Sequence, residues 1–178
     1  MSTSTGKPNP RTGGTPTDDV WRRYGSAAMV DDGVLASAAF LVAVLWFDLM
    51  FDVQVLRHRS AALLPVDVVA SIRAYYRRVL IDSSPMGRMV GVVMLVFTAT
   101  LIAQTVVGDV ERWVSVVSWV GFIGGPGLAA ARVVRNARRL ALGSDDHATQ
   151  SALARRICSD HLVCLAAMST TVAAQLLA

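Results

Sequence analysis

Lysine is almost missing from this chain. Of its 17 basic residues, 16 are arginine and one is Lys7, the usage expected of a GC-rich bacterial genome. Charge of either sign is scarce as well, at 17% of residues against 53% apolar, and the mean hydropathy is positive at +0.47. That balance, with the apolar residues gathered in long blocks, excludes an ordinary soluble domain and points to a membrane protein. Cysteine is limited to Cys158 and Cys164. Six residues apart on a helix, they point roughly 120° away from each other. Neither a disulfide between them nor a zinc framework is expected. The polar stretch from Met1 to Asp32 is too long for a signal peptide, and the apolar run after it ends in acids rather than at a small-residue cleavage site. Catalytic signatures are lacking too: no HExxH or Glu-x-x-His pair, no nucleophile elbow and no Gly-rich phosphate loop after a strand.

The blocks themselves carry the architecture. Residues 1–32 read as a disordered polar tail, rich in Ser, Thr, Gly and Pro over its first twenty residues, with a short surface helix near Val20 to Met29. Residues 33–178 read as a transmembrane domain with spans at about 34–56, 89–107, 113–131 and 159–177. Each is about 28–35 Å long at ~1.5 Å per residue, enough for a bilayer core of roughly 30 Å. The second and third spans are uncharged for 19 residues each. A soluble four-helix bundle would give them a charged outer stripe. The fold class is therefore all-α, an integral membrane four-helix bundle.

Two extensions are expected on one side of the membrane. Val68, Val69, Ile72, Tyr75, Tyr76, Val79 and Leu80 recur near helical spacing, with Arg73, Arg77 and Arg78 largely off that stripe. This predicts an amphipathic helix over about 66–82, with its tyrosines at headgroup level. The third span is expected to continue through "RVVRNARRLAL" to a stop at Gly143. Ser144, Asp145 and Asp146 then cap the helix that leads into span four, so the extension is a helical hairpin.

The net charge of +4 would suit a nucleic acid, but the arginines flank the apolar blocks. They read as topology signals and headgroup contacts, and no nucleic-acid partner is expected. The loops at 57–88 and 132–158 hold six arginines each, against four basic residues in the tail and one in the short second loop. This bias predicts that both of those loops are cytoplasmic, with both termini outside a bacterial plasma membrane. The expected partners are the bilayer and a second membrane protein or another copy of the chain.

Packing without a hydrophobic drive relies on small residues at four-residue spacing. Such rows are Gly121, Gly125 and Ala129 in span three, Ala166, Thr170 and Ala174 in span four, and Gly87 and Gly91 in span two. Pro126 removes a hydrogen bond to the Phe122 carbonyl and predicts a kink. Gln104 and Gln175 fall at similar depth on the outer side and are placed to bridge spans two and four.

The polar residues of interest lie at the other end. "WFDLMFDVQ" puts Asp48 and Asp52 one helical turn apart on one face. From span centres near Leu45 and Met168, Asp48 lies ~4–5 Å toward the cytoplasm, Asp52 and His161 about 10 Å and Asp160 about 12 Å. Arg88 opens span two and Arg132 closes span three, each roughly 15 Å from its centre on the same side. Asp48, Asp52, Asp160, His161, Arg88 and Arg132 thus form a candidate intramembrane cluster. Two readings stand: an inner-leaflet ion-pair network, in which Arg57, Arg88 or Arg132 compensates the acids, and a proton or cation site. Asp48, the deeper acid, is the one the network explains least. The acids and histidine offer metal ligands by type, but the spacing matches no known metal motif, and no metal or cofactor is expected.

The blocks "WFDLMFDVQ" and "AYYRRVLIDSSPM" resemble a family of actinobacterial four-helix membrane proteins. The resemblance covers most of the chain after the tail and implies the architecture alone, since that family carries no assigned activity. The leading functional expectation is a non-enzymatic structural or accessory membrane component. A small proton- or ion-coupled transporter using Asp48, Asp52 and His161 is the alternative, and a membrane enzyme with an acid–histidine site is the third.

Overall fold

A computed structural model describes residues 16–82, 85–107 and 110–178. The described residues are helical, without a strand. Helix α1 (Pro16–Asp52) runs after a break at Val53 into the short α2 (Gln54–Arg57). A loop leads to α3 (Val66–Arg77), which ends in a π-helical turn, Arg78–Asp82. Helix α4 spans Pro85–Val107. Helix α5 (Arg112–Phe122), the π turns Ile123–Gly127 and Ala129–Val133, and α6 (Val134–Leu142) form one continuous rod. Helix α7 is His147–Leu176.

Four of these rods, Ala28–Arg57, Pro85–Val106, Arg112–Leu142 and His147–Leu176, are long and apolar enough to cross a membrane. Their burial is inverted relative to a soluble bundle. Helix α4 has only 17% of its apolar window inside the protein, whereas the less apolar α7 has 44%. Leu95 is 70% exposed and Val120 64%. Surfaces of that kind suit lipid rather than water. The chain is an all-α four-helix membrane bundle. Helix α1 packs on α4 and α7, α7 on α5, and α4 on α5 at its far end, while α3 lies against α6 and α7.

The polar tail expected to reach Asp32 needs correction. Residues 1–15 lie outside the described part of the chain, but from Pro16 onward the segment is helical and continuous with span one. Its consequence is Asp31, which accepts a hydrogen bond from Gln104 Nε2 at 2.7 Å. Gln104 and Gln175 exchange amide hydrogen bonds at 3.1 Å in both directions, and Gln175 Nε2 also donates to Ser118 Oγ at 2.9 Å. All four spans are therefore cross-tied at this end, where the sequence placed only a bridge between two.

Two of the expected small-residue rows do not pack helices. In span four Ala166 and Thr170 are exposed, and Ala174 alone of that row is buried. A Cβ on Gly91 would meet nothing within 4 Å, and one on Gly87 only the Val79 carbonyl at 4.0 Å. The row in span three does face a neighbour: a Cβ on Gly121 would lie 1.9 Å from Thr171 Oγ1, and one on Gly125 would lie 2.6 Å from Met168 Sδ. The partner face on α7 is thus Ala167, Met168 and Thr171, one residue round from the predicted row. At Pro126 the helix widens rather than simply bending. In a π turn the donor comes from five residues on, as in the Leu128 N–H to Ile123 carbonyl bond, which shifts the register past the residue that has no N–H.

The hairpin turns at Gly143, whose φ of 65° is left-handed and whose α side is filled by Arg73 of α3. Asp146 then caps α7 by accepting from the Thr149 N–H at 2.7 Å. Three side chains spaced four residues apart on α7 fasten the loop between α2 and α3. His147 Nε2 donates to the Leu64 carbonyl at 2.8 Å, and Ser151 Oγ accepts from the Leu64 N–H at 3.2 Å. Arg155 donates to the carbonyls of His58 at 3.1 Å and Ala61 at 2.8 Å. Replacing Arg155 with alanine leaves the His58 carbonyl only its bond from the Ala61 N–H at 3.1 Å, takes the side-chain donor from the Ala61 carbonyl, and is expected to loosen this loop. Limited digestion with an arginine-specific protease should cut after Arg59 several-fold faster in Arg155→Ala, and equal rates would show that the loop is held without it.

Candidate functional site

Helix α1 carries Asp48 and Asp52 on the face turned toward α7 and α3. Asp52 is wholly enclosed, with a side-chain exposure of 0%. Its Oδ2 accepts from His161 Nδ1 at 2.6 Å and from the Tyr76 hydroxyl at 2.8 Å. Asp48, one turn deeper, keeps 17% of its side chain exposed and accepts from the Tyr75 hydroxyl through Oδ1 at 2.6 Å. Its other oxygen, Oδ2, faces His161 Nε2 at 3.8 Å. The imidazole is therefore strung between two carboxylates. One ring nitrogen is anchored on Asp52; the other faces Asp48 at a distance too long for a hydrogen bond.

The tyrosines come from α3, and here the expected placement is corrected. The apolar stripe does face inward, with Val69, Ile72 and Tyr76 buried. The tyrosine hydroxyls do not reach headgroup level; they point into the bundle at the two aspartates. Stacking holds them there: Tyr75 lies face to face on Phe51 with ring centroids 4.1 Å apart, and its edge meets Tyr76 at 5.2 Å. Burial first, and then the neighbouring Asp48, pushes the Tyr75 phenol well above its ordinary range. Burial and Asp52 do the same to Tyr76. Both therefore stay protonated donors at any physiological pH. The signal that sequence reading missed was available: a tyrosine on a buried stripe must find a partner for its hydroxyl.

The six candidate residues divide three ways. Asp48, Asp52 and His161 come together. Asp160 turns instead to Arg132, whose guanidinium lies 3.2 Å from its Oδ1. Arg88 is exposed and makes no ion pair among the described residues. Arginine compensation therefore reaches one acid, Asp160, and not the pair in span one. Two carboxylate oxygens, Asp52 Oδ1 and Asp160 Oδ2, are buried with no hydrogen-bond partner among the described residues. No three His, Cys, Asp or Glu side chains among the described residues converge as metal ligands.

Beside the cluster lies a cavity of about 310 Å³ between α1, α4 and the π-turn region of the third rod, roofed by α3. Asp48, Tyr75, Tyr76 and His161 form its polar end, and the rest of the wall is apolar, including Met94, Pro126 and Met168. Phe47 and Met86, on the wall, are also exposed on the surface at 60% and 41%. The chamber thus reaches the lipid-facing surface between α1 and α4. The two glycines of span two, Gly87 and Gly91, open this space rather than close a helix contact. The widened turn at Pro126 borders it too, and π turns recur where a backbone is shaped around a site.

Chemically the arrangement can hold and pass a proton. Asp52 fixes the ring, while His161 Nε2 and Asp48 Oδ2, 3.8 Å apart on two residues that line the chamber, are two places a proton can reside. No family model, curated protein or solved structure matches the chain, so its function rests on this geometry.

Proposed function

We propose that the protein is a small proton-coupled membrane component in which Asp48 and His161 exchange the proton and Asp52 anchors the imidazole. The single observation that carries this reading is the Asp48–His161 pair, 3.8 Å apart at the wall of a cavity, with no arginine on it. A purely structural ion-pair network would place a fixed positive charge on the deepest acid. Among the described residues, Arg132 pairs with Asp160, and no arginine forms an ion pair with Asp48 or Asp52. Ionisable groups inside a bilayer are costly and usually mark an ion or proton path. This favours the coupled reading over a component that works by packing alone.

The proposed setting is a bacterial plasma membrane. Arginine-rich loops 57–88 and 132–158 lie in the cytoplasm, both termini lie outside, and the chamber sits in the inner half of the bilayer. Lipid is the immediate partner, and self-association extends the short pathway that four helices enclose.

Proteoliposomes loaded with a pH-sensitive dye test the coupling. Under an imposed pH gradient the wild type should move protons, and Asp48→Asn should abolish the flux while leaving the unfolding transition within a few degrees. If Asp48→Asn instead unfolds the protein and a compensating charge swap restores it, the residue belongs to a structural network and the proposal is wrong.

A further inference from the structure

The chamber has a shape and charge of its own, and they specify a ligand. Resting on the proton-exchange reading above, we infer that the cavity binds a lipophilic ammonium, with the cationic head between Asp48 and His161 and the apolar body along α4 and the Pro126 turn. At ~30 Å³ per water-sized group, its volume of about 310 Å³ takes an apolar body of about ten carbon-sized groups.

The head group follows from the donors and acceptors. Asp48 Oδ1 is taken by Tyr75, and Asp52 Oδ2 by Tyr76 and His161 Nδ1. Left without a hydrogen bond among the described residues are Asp48 Oδ2 and His161 Nε2, on two residues that line the chamber. With its proton on Nδ1, held by Asp52, a neutral imidazole presents Nε2 as an acceptor. Two acceptors 3.8 Å apart can both be reached by one nitrogen about 2.8–3.0 Å from each, the ordinary length of a charge-assisted hydrogen bond. A carboxylate head is disfavoured because, among the described residues, no arginine or lysine lines the chamber, while Asp48 lines its polar end and Asp52 stands behind His161. An alcohol has one hydrogen to donate and no charge to offset the acid.

Exchange is also charge-balanced. With the imidazole protonated and both aspartates ionised, the cluster carries one net negative charge. Adding an ammonium while the imidazole proton leaves gives the same net charge. Binding the amine therefore displaces one proton, which couples the ligand to the proton without stranding charge in the membrane. The groups facing this exchange are Asp48 and Asp52 from α1, Tyr75 and Tyr76 from α3, and His161 with Cys164 from α7, while Asp160 is neutralised by Arg132. Because Phe47, on the wall, is also exposed on the apolar face of span one, the ligand enters sideways from the bilayer rather than from water.

The full-length protein in nanodiscs tests this with radiolabelled decylamine and decanol, which share a chain and differ in head. Saturable binding of decylamine at least tenfold tighter than decanol, with one proton released per amine bound, is the expected result. Asp48→Asn should remove the preference. Gly91→Leu, which adds bulk where a Cβ meets no neighbour, should weaken both probes tenfold or more with the polar cluster intact, and it decides the matter if Asp48→Asn fails to fold. Equal affinity for the two probes, or no binding beyond that of empty nanodiscs, overturns the inference. Proton uptake measured without amine separates the two readings. If uptake is present and depends on Asp48 but decylamine does not bind, the ligand assignment alone falls. If decylamine binds as expected and uptake is absent, proton exchange alone falls.

Discussion

Replacing Asp52 with alanine lowers the stability of the bundle by about 3–5 kcal/mol, the cost of removing one partner from a buried charged pair. Hydrogen bonds between membrane helices are often worth only ~0.6 kcal/mol, because a released donor finds another acceptor. Among the described residues only one such escape is present here: the Tyr76 hydroxyl lies 3.4 Å from His161 Nδ1 and can donate to it once the imidazole proton moves to Nε2. His161 Nδ1 and the Tyr76 hydroxyl both donate to the same Asp52 oxygen, inside a site with no exposure. Alanine removes the shared acceptor, and each buried polar group left unsatisfied costs about 1–3 kcal/mol. Asparagine retains an acceptor for one of them and should cost less. Denaturant unfolding in mild detergent, followed by tryptophan fluorescence, measures the difference. A loss under about 0.5 kcal/mol for Asp52→Ala would mean that the cluster relaxes and is not a fixed anchor.

Gly121→Ala carries the second large effect. The added methyl would lie 1.9 Å from Thr171 Oγ1 and 3.2 Å from the Ala167 carbonyl. Thr171 cannot swing away cheaply: it is fully buried, β-branched, and its hydroxyl donates to the Ala167 carbonyl at 3.1 Å. Helices α5 and α7 must separate, at about 1–3 kcal/mol for overpacking. Thr171→Ala should rescue most of that loss in the double variant. Gly125→Ala gives the contrast. Its clash is with the thioether of Met168, a flexible end beside the chamber, so the side chain moves and the loss is smaller. Equal losses at the two glycines, or no rescue by Thr171→Ala, would show that helix separation does not set the cost.

These contacts show what a sequence can and cannot disclose. The four apolar blocks locate the four long helices, because length and hydropathy alone decide what can cross a bilayer. Depth counting placed Asp52 and His161 at one level and Asp48 one turn deeper, because a straight helix converts residue number into height. Height says nothing about direction around the axis. That is why Asp160, adjacent to His161, was grouped with a cluster from which its side chain turns away toward Arg132. The tyrosines were missed because the amphipathic stripe was read by its apolar bodies, and their hydroxyls were assigned to the headgroups. Asp31 was missed because composition marked it as tail, whereas it takes part in the polar ladder through Gln104.

The anchor of the site also orders its assembly in time. Asp52 and the histidine that holds it are 109 residues apart in the chain. At synthesis rates of about 5–20 residues per second, the first span waits roughly 5–20 seconds for its partner. Through that interval its two acids are without their imidazole, and the tyrosines of α3, made about twenty residues after Asp52, are the first groups able to shelter them. Helix α3 is thus an early companion of span one during biogenesis, and the cluster closes only when the last helix enters the membrane.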